Sequence, residues 1–277
     1  LAGGGATTVA AGGSVAGGVA AAVAAKVAAV VIAVAVVVGA TVIVVGVNGD
    51  GPPVAEAQAL SVDTQTVRTS YDDVILNVSA QVVQVSGHPN GTVQQRINDA
   101  LRSSVDDEIN QLRESIAATR ELTAGHPQQN APFNLATRAE ITLRNNDFVS
   151  VHYDHRVRSD LITNSDWSTA TATTVDLHTG AALAADAIFT DAVDLTEVAR
   201  ALDHDGGVCG MPGRLSFTRS DLGDVVRIGF TRNAIEFTLE LPRIAGFANA
   251  CGIPTIAVPY GEIDGLDKNL VAKLTAG

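Results

Sequence analysis

The chain has 277 residues and a formal net charge of -12, with 18 Lys and Arg against 30 Asp and Glu, which gives a pI near 4.8 and a mean hydropathy of +0.22. Its basic residues are dispersed, which argues against nucleic-acid binding, because neutralising phosphates needs clustered Lys and Arg. An acidic surface also repels anionic lipid heads, and the length allows one or two domains with a full-sized core.

Residues 1–26 are rich in Gly and Ala and are expected to form a disordered segment. Residues 27–47 then run without a charge, and at about 1.5 Å per residue a helix of that length covers roughly 30 Å, the thickness of a bilayer's hydrocarbon core. The sequence therefore predicts a single transmembrane helix. Lys26 precedes this segment, whereas Asp50, Glu56 and Asp63 follow it; the positive-inside rule places the first segment in the cytoplasm and the rest outside. The alternative is a cleaved signal peptide, with Ala-x-Ala sites ending at Ala57 and Ala59. Either way the remainder is exported. Residues 48–59, with Gly51-Pro52-Pro53, read as a linker, because paired prolines bar continuation of a helix.

The exported body begins near Leu60. "VILNVSAQVVQVSG" is rich in β-branched residues and predicts a strand, with His88-Pro89-Asn90-Gly91 as its turn. After it, Val93, Ile97, Leu101, Val105, Ile109, Leu112 and Ile116 recur every three or four residues and predict one long amphipathic helix. "NLATRAEITLRNN" and "DFVSVHYDHRVRSD" predict a hairpin turning at Asn145-Asn146-Asp147, and "TATATTVDLHTG" a further strand. "AALAADAIFT" and "DLTEVARALD" read as helical, "IGFTRNAIEFTLEL" as a hairpin about Arg232-Asn233, "IPTIAVPY" as a buried strand and "GEIDGLDKNLVAKL" as a final helix. The mixture predicts an α+β body of mainly antiparallel strands rather than a doubly wound parallel sheet.

Cys209 and Cys251 are the two cysteines, and in an exported body they are expected to pair. "VHYDHR" holds the densest group of catalytic residue types: on a strand His152 and Asp154 share one face, Tyr153 and His155 the other. A zinc site there would need further ligands, such as His178 or His204, from distant segments. No G-x-S-x-G nucleophile motif accompanies the group. "DHDGGVCG" has the Gly and acid content of a calcium loop without the EF-hand spacing, so a loop pinned by Cys209 is the simpler reading. Asn77-Val78-Ser79 and Asn90-Gly91-Thr92 match glycosylation sequons. Trp167, beside Asn164 and Asp166, reads either as a recognition aromatic or as a partly buried anchor. No catalytic residue, metal or cofactor is assigned on these grounds.

Three stretches together resemble the extracytoplasmic part of the RsiV family of membrane-anchored anti-sigma factors, and related exported proteins of Gram-positive bacteria and mycobacteria. "VVQVSGHPNGTVQQRINDALRSSVDDEI" is similar to the family's strand, Gly turn and helix with an Ile-Asn pair, here Ile97-Asn98. "VDLHTGAALAADAIF" and "IEFTLELPRIAGFANACGIPTIAVPYGEI" are similar to its later strands and turns. The resemblance implies an N-terminal module over 60–147 and a C-terminal module over 148–277. Where related sequences carry Gly-Gly-Ala-His before the Thr-Gly turn, this chain has "SDLITNSDWSTATATT". The stretch before the span lacks apolar surface for binding a sigma factor, so the resemblance is taken to imply fold, topology and location rather than signalling. The expected function is a non-enzymatic, membrane-anchored binding or sensing module for an extracytoplasmic protein or cell-wall ligand, with Trp167, His152, Asp154 and His155 as candidate ligand contacts. The alternative is an exported hydrolase acting on envelope polymers through His152, Asp154 and His155.

Overall fold

The computed structural model describes residues 60–125, 130–159, 167–203, 207–244 and 246–276. The predicted segment 1–26, the span 27–47 and the linker 48–59, with both Ala-x-Ala sites, lie outside the described residues. So do Asn164, Asp166 and His204. Among the described residues no helix is long and apolar enough to cross a membrane.

Two antiparallel strands open the body, β1 (Ser61–Tyr71) and β2 (Leu76–Ser86). A helix, α1 (Gly91–Leu122), then carries the chain back, so that β3 (Phe133–Arg144) pairs in parallel with β2 over Leu76 to Ala80. Next come β4 (Phe148–Ser159) and β5 (Trp167–Asp176), each antiparallel to its predecessor, giving a sheet in the order β1-β2-β3-β4-β5. A second, antiparallel sheet contains β6 (Val226–Phe230), β7 (Ala234–Leu239) and β8 (Thr255–Pro259) in that order. Two short helices, α2 (Leu195–Leu202) and α3 (Lys268–Thr275), complete an α+β architecture of mostly antiparallel strands. The predicted boundary at 147 falls in the turn of the β3–β4 hairpin, inside the five-stranded sheet.

Helix α1 starts where a side chain can take the place of a missing backbone acceptor. Asn90 Oδ1 accepts from the amides of Thr92 (3.0 Å) and Val93 (3.2 Å), which satisfies two of the orphan donors of the first turn. All seven stripe residues, from Val93 to Ile116, are buried. They lie against Leu76, Val78, Phe133, Leu135, Val149, Val151, Tyr153 and Val157 in one core. Full burial of each aliphatic side chain contributes about 1.5–3 kcal/mol. Arg113 fastens the helix to the β1–β2 turn by an ion pair to Asp73 at 2.8 Å and by stacking over Tyr71 at 4.5 Å.

The opposite face of the first sheet carries a second core, where Leu143 and Phe148 join Ile228, Phe230, Ile235, Phe237 and Leu239. Polar bonds set the register between the layers. The Phe230 amide donates to Ser150 Oγ at 3.2 Å, and Thr142 Oγ1 donates to the Phe230 carbonyl at 2.8 Å. Asn145 ties α3 to the β3–β4 turn: its oxygen accepts from the amides of Asp147 (2.9 Å) and Phe148 (2.7 Å), and its amide donates to the carbonyls of Lys273 and Leu274. Gly180 is required at its position, because φ is +75° and a Cβ there would stand 2.6 Å from Arg96 Cβ and 3.0 Å from the Val93 carbonyl. The Thr-Gly turn thus rests directly on the first turns of α1.

Four elements differ from expectation. β1 was not foreseen, because it is an edge strand whose middle positions face solvent and whose polar sequence does not alternate. "AALAADAIFT" is not a helix; bridges from Ala182 to Val175 and from Phe189 to Leu266 hold its two ends, with turns over 185–188 between them, and Ile188 and Phe189 reach the second core. The strand within "IPTIAVPY" is an edge strand in which only Val258 is buried. The final helix begins only at Lys268, where the Asp267 carboxylate accepts from the amides of Asn269 and Leu270.

Candidate functional site

Strand β4 presents two different surfaces through its period of two. Val149, Val151, Tyr153, His155 and Val157 point toward α1, whereas Ser150, His152, Asp154 and Arg156 point toward the second sheet. The division of "VHYDHR" between two faces is the one its sequence predicts.

His155 is sealed in the core at 0% exposure. Its Nδ1 lies 3.0 Å from Thr137 Oγ1 on β3 and its Nε2 3.0 Å from Thr171 Oγ1 on β5, while the ring stacks on Tyr153 at 6.4 Å. Burial pushes its pKa down to about 4. At neutral pH the ring is therefore uncharged, with one nitrogen donating to a threonine hydroxyl and the other accepting from the second. Tyr153 donates to the Leu101 carbonyl at 2.9 Å, and burial pushes its phenol up to about 12. Tyr153 joins the sheet to α1, His155 ties β4 to β3 and β5, and neither touches solvent.

His152 is nearly buried on the opposite face. Its Nε2 stands 3.1 Å from Asp154 Oδ1 and its Nδ1 3.4 Å from Thr238 Oγ1, which in turn lies 2.8 Å from Thr255 Oγ1. Glu140 occupies the register position opposite His152 on β3. Burial pushes the Glu236 carboxyl up; His152 draws it back down and Glu140 pushes it up again. The seam between the sheets is thus polar and hydrogen-bonded. The hydroxyl that meets His152 is that of Thr238, which is itself buried, so among the described residues the His152–Asp154 pair is bonded to no exposed hydroxyl nucleophile.

Asp154 reaches into a cleft of about 1100 Å³ between the outer face of β3, β4 and β5 and the loops that leave the second sheet. Arg138 and Arg156 rise from its floor, and Glu240, Pro242, Arg243 and Ile253 form the facing wall. Glu240 is buried and bound by Arg243 at 3.0 Å and Arg227 at 3.4 Å, and Arg243 also holds Asp224 at 2.7 Å. The exposed heads of Arg138 and Arg156 make no hydrogen bond or ion pair among the described residues. Trp167 stands at one end, half-buried, with its ring edge-on to Phe133 at 6.2 Å. It is a partly buried anchor that also borders the cleft.

Cys209 and Cys251 are bonded, with an S–S distance of 2.03 Å across a separation of 42 residues. The bond ties the turn after α2 to the segment that supplies Gly252 and Ile253 to the cleft wall. His178 is engaged elsewhere, 2.8 Å from Asp147. Among the described residues no three His, Cys, Asp or Glu side chains converge as a metal site requires.

The structure therefore brings Asp154 and Trp167 to one cleft, with the buried His155 beneath its lining, and leaves His152 outside it. Sequence reasoning missed Arg138, Arg156, Glu240 and Arg243. A signal for the first two existed: Arg156 shares strand parity with His152 and Asp154, and Arg138 faces Asp154 in the register.

These features define a mixed α+β body with a cleft at the junction of two sheets. No protein-family model and no curated protein matches the sequence. Among solved structures, a member of the DUF3298 family from Bacteroides fragilis is similar in fold, with a TM-score of 0.51 and 13% identity over 79% of this chain and 98% of that one. A DUF3298 family protein from Pseudomonas aeruginosa PAO1 gives a TM-score of 0.49 at 11% identity over 77% of this chain and 97% of that chain. At such identities the likeness to the first is one of fold.

Proposed function

We propose that this chain is a membrane-anchored, extracytoplasmic binding or sensing protein of the cell envelope, similar to RsiV in its exported body, and that its protein or wall-derived ligand sits in the cleft above β3, β4 and β5. The observation that carries this reading is the cleft itself: about 1100 Å³ of open volume, into which Arg138 and Arg156 present side chains that make no hydrogen bond or ion pair among the described residues. Such volume is of the size that ligand sites occupy. The disulfide supports an exported location, since such bonds persist in oxidising compartments.

The test is capture of envelope components by the full chain in detergent, compared with chains carrying Ala136→Trp or Ser168→Trp, which fill the cleft floor. Retention of a specific component by the unaltered chain and its loss from both variants is the expected result. Capture that is indifferent to both substitutions would move the ligand off the cleft, and failure to capture anything would remove the binding role.

The alternative is hydrolysis of envelope polymers through His152, Asp154 and His155. The 3.1 Å contact between His152 and Asp154 favours it. The burial of His155 and of Thr238 weighs against it. Turnover of a wall polymer by the full chain, abolished by His152→Ala, would be the result that favours it over binding alone.

A further inference from the structure

We propose that the cleft recognises an oligoanion, a chain bearing carboxylate or phosphate groups, through the guanidinium heads of Arg138 and Arg156. The inference rests on the cleft being the binding site and names what that site takes.

Three observations carry it. First, Arg138 and Arg156 lie diagonally across β3 and β4, because Arg138 pairs with Asp154 and Arg156 with Ala136 in the register. Diagonal neighbours on a sheet stand roughly 7–8 Å apart, so two planar donors face the same volume at a separation that suits successive charged groups of one ligand. Each guanidinium can grip a carboxylate or phosphate by two parallel N–H···O bonds.

Second, the carboxylate best placed to neutralise Arg138 is committed elsewhere. Opposite charges facing each other across a strand pair ordinarily stabilise a sheet. Here the Asp154 carboxylate is instead drawn to His152 Nε2 at 3.1 Å, and Arg138 makes no ion pair with it. His152 acts as a positioning residue, since it holds aside the negative charge that would compete with a ligand.

Third, the remaining charges of the cleft are spent on each other. Glu240 is buried and held by Arg227 and Arg243, so it offers little field to the open volume, and Arg243 braces the wall. The unpaired charge facing solvent is therefore positive in a chain whose net charge is -12. With three Arg (Arg138, Arg156 and Arg243) against two carboxylates (Asp154 and Glu240), the cleft lining is net positive inside an acidic protein, which concentrates counter-charged ligands. Its volume of about 1100 Å³ exceeds the need of a single small anion, which points to an oligomer.

The experiment is titration of the full chain, in non-ionic detergent, with three probes of similar length: poly(glycerol phosphate), oligogalacturonate and neutral dextran. Binding of at least one polyanion and not of dextran is expected, and which polyanion binds separates phosphate from carboxylate as the natural group. Arg138→Gln and Arg156→Gln should each weaken that binding about 10-fold or more, as loss of a charge-assisted bond does, and each should lower the slope of log K against log salt by about 1. Asp154→Asn should strengthen it several-fold, which no unfolding artefact would produce. Equal affinity of the double Arg variant, or a wild-type chain that ignores both polyanions, would overturn the inference. If the double variant still captures an envelope component that Ala136→Trp loses, anion recognition falls while the binding role stands. If the unaltered chain captures nothing, that role falls too.

Discussion

The side-chain amide of Asn98 closes both free hydrogen bonds of the Val85 peptide: its oxygen accepts from the Val85 amide at 2.7 Å, and its nitrogen donates to the Val85 carbonyl at 3.0 Å. β3 pairs with β2 only as far as Ala80, so beyond that point the inner edge of β2 faces α1 with no strand beside it. Asn98 takes the place of a strand residue. Gln81 does something related nearby, accepting the Ala139 amide at 3.1 Å where the strands part. The Ile-Asn pair therefore has a division of labour, Ile97 filling the core and Asn98 completing the sheet.

Asn98→Ala is expected to lower stability by about 2–6 kcal/mol, since it leaves a donor and an acceptor of a fully buried residue unpaired at about 1–3 kcal/mol for each group. Asn98→Asp should recover only the acceptor half, because a carboxylate cannot donate to the Val85 carbonyl. Urea unfolding of the three chains checks this. Identical midpoints for Asn98 and Ala would mean that water replaces the amide without penalty.

His155 makes stability depend on pH in one direction. Burial holds its pKa in the folded protein at about 4 against an ordinary value of 6.5, so the neutral ring is the folded form. A lowered histidine contributes its full stability above the unfolded value, and that contribution is lost as pH falls from about 6.5 toward 4. The shift corresponds to a loss on the order of 3 kcal/mol. Glu108 and Glu236, both raised mainly by burial, change stability in the opposite sense as pH falls, so the comparison must be with a variant. The expected result is that His155→Gln, which can still meet Thr137 and Thr171, loses markedly less stability between pH 7 and pH 4 than the unaltered chain. Parallel curves for the two chains would show that His155 does not titrate on unfolding.

The depth of His155 explains how far a sequence reads. Parity along β4 was legible, because alternation is a property of the strand alone. Burial was not, because the residues that enclose His155 come from Thr137 on β3, Thr171 on β5 and the helix packed above them. α1 was legible almost residue by residue, since its stripe repeats within one segment and every stripe position is buried. β1 and "AALAADAIFT" were misread for the converse reason: an edge position, and bridges to distant Val175 and Leu266, decide their form. The cleft stayed hidden because Arg138 and Arg156 share one hairpin face, whereas its facing wall, Glu240, Pro242 and Arg243, comes from beyond the second sheet.

The Cys209–Cys251 bond closes a loop across 42 residues. On the chain-entropy account a loop of that size is worth about 4 kcal/mol to the folded state. Cys209→Ser with Cys251→Ser, or reduction of the native bond, should lower stability by that order and should raise amide exchange in 207–212 and 248–254 before the rest. Because Gly252 and Ile253 belong to the cleft wall, ligand capture should weaken even at temperatures where the reduced protein remains folded. A reduced chain with unchanged exchange in those segments would make the bond a bystander.

Ile75 sits at φ +50° in the turn between β1 and β2, a left-handed conformation that is a genuine outlier for a β-branched residue. Its carbonyl accepts the Phe133 amide at 2.9 Å, so the turn cannot relax without disturbing the start of β3. The left-handed region costs a residue with a Cβ about 1–2 kcal/mol relative to glycine. The side chain is 38% exposed, and truncating it removes some packing whatever replaces it, so the informative comparison is between two truncations. Ile75→Ala loses the side chain and keeps the Cβ penalty, whereas Ile75→Gly loses both. Gly should therefore exceed Ala in stability by about 1 kcal/mol, the reverse of the order found inside ordinary strands and helices, where Gly is worse by about 0.5–1 kcal/mol. Thermal unfolding of the two variants decides it, and an alanine chain as stable as the glycine chain would show that the turn carries no strain.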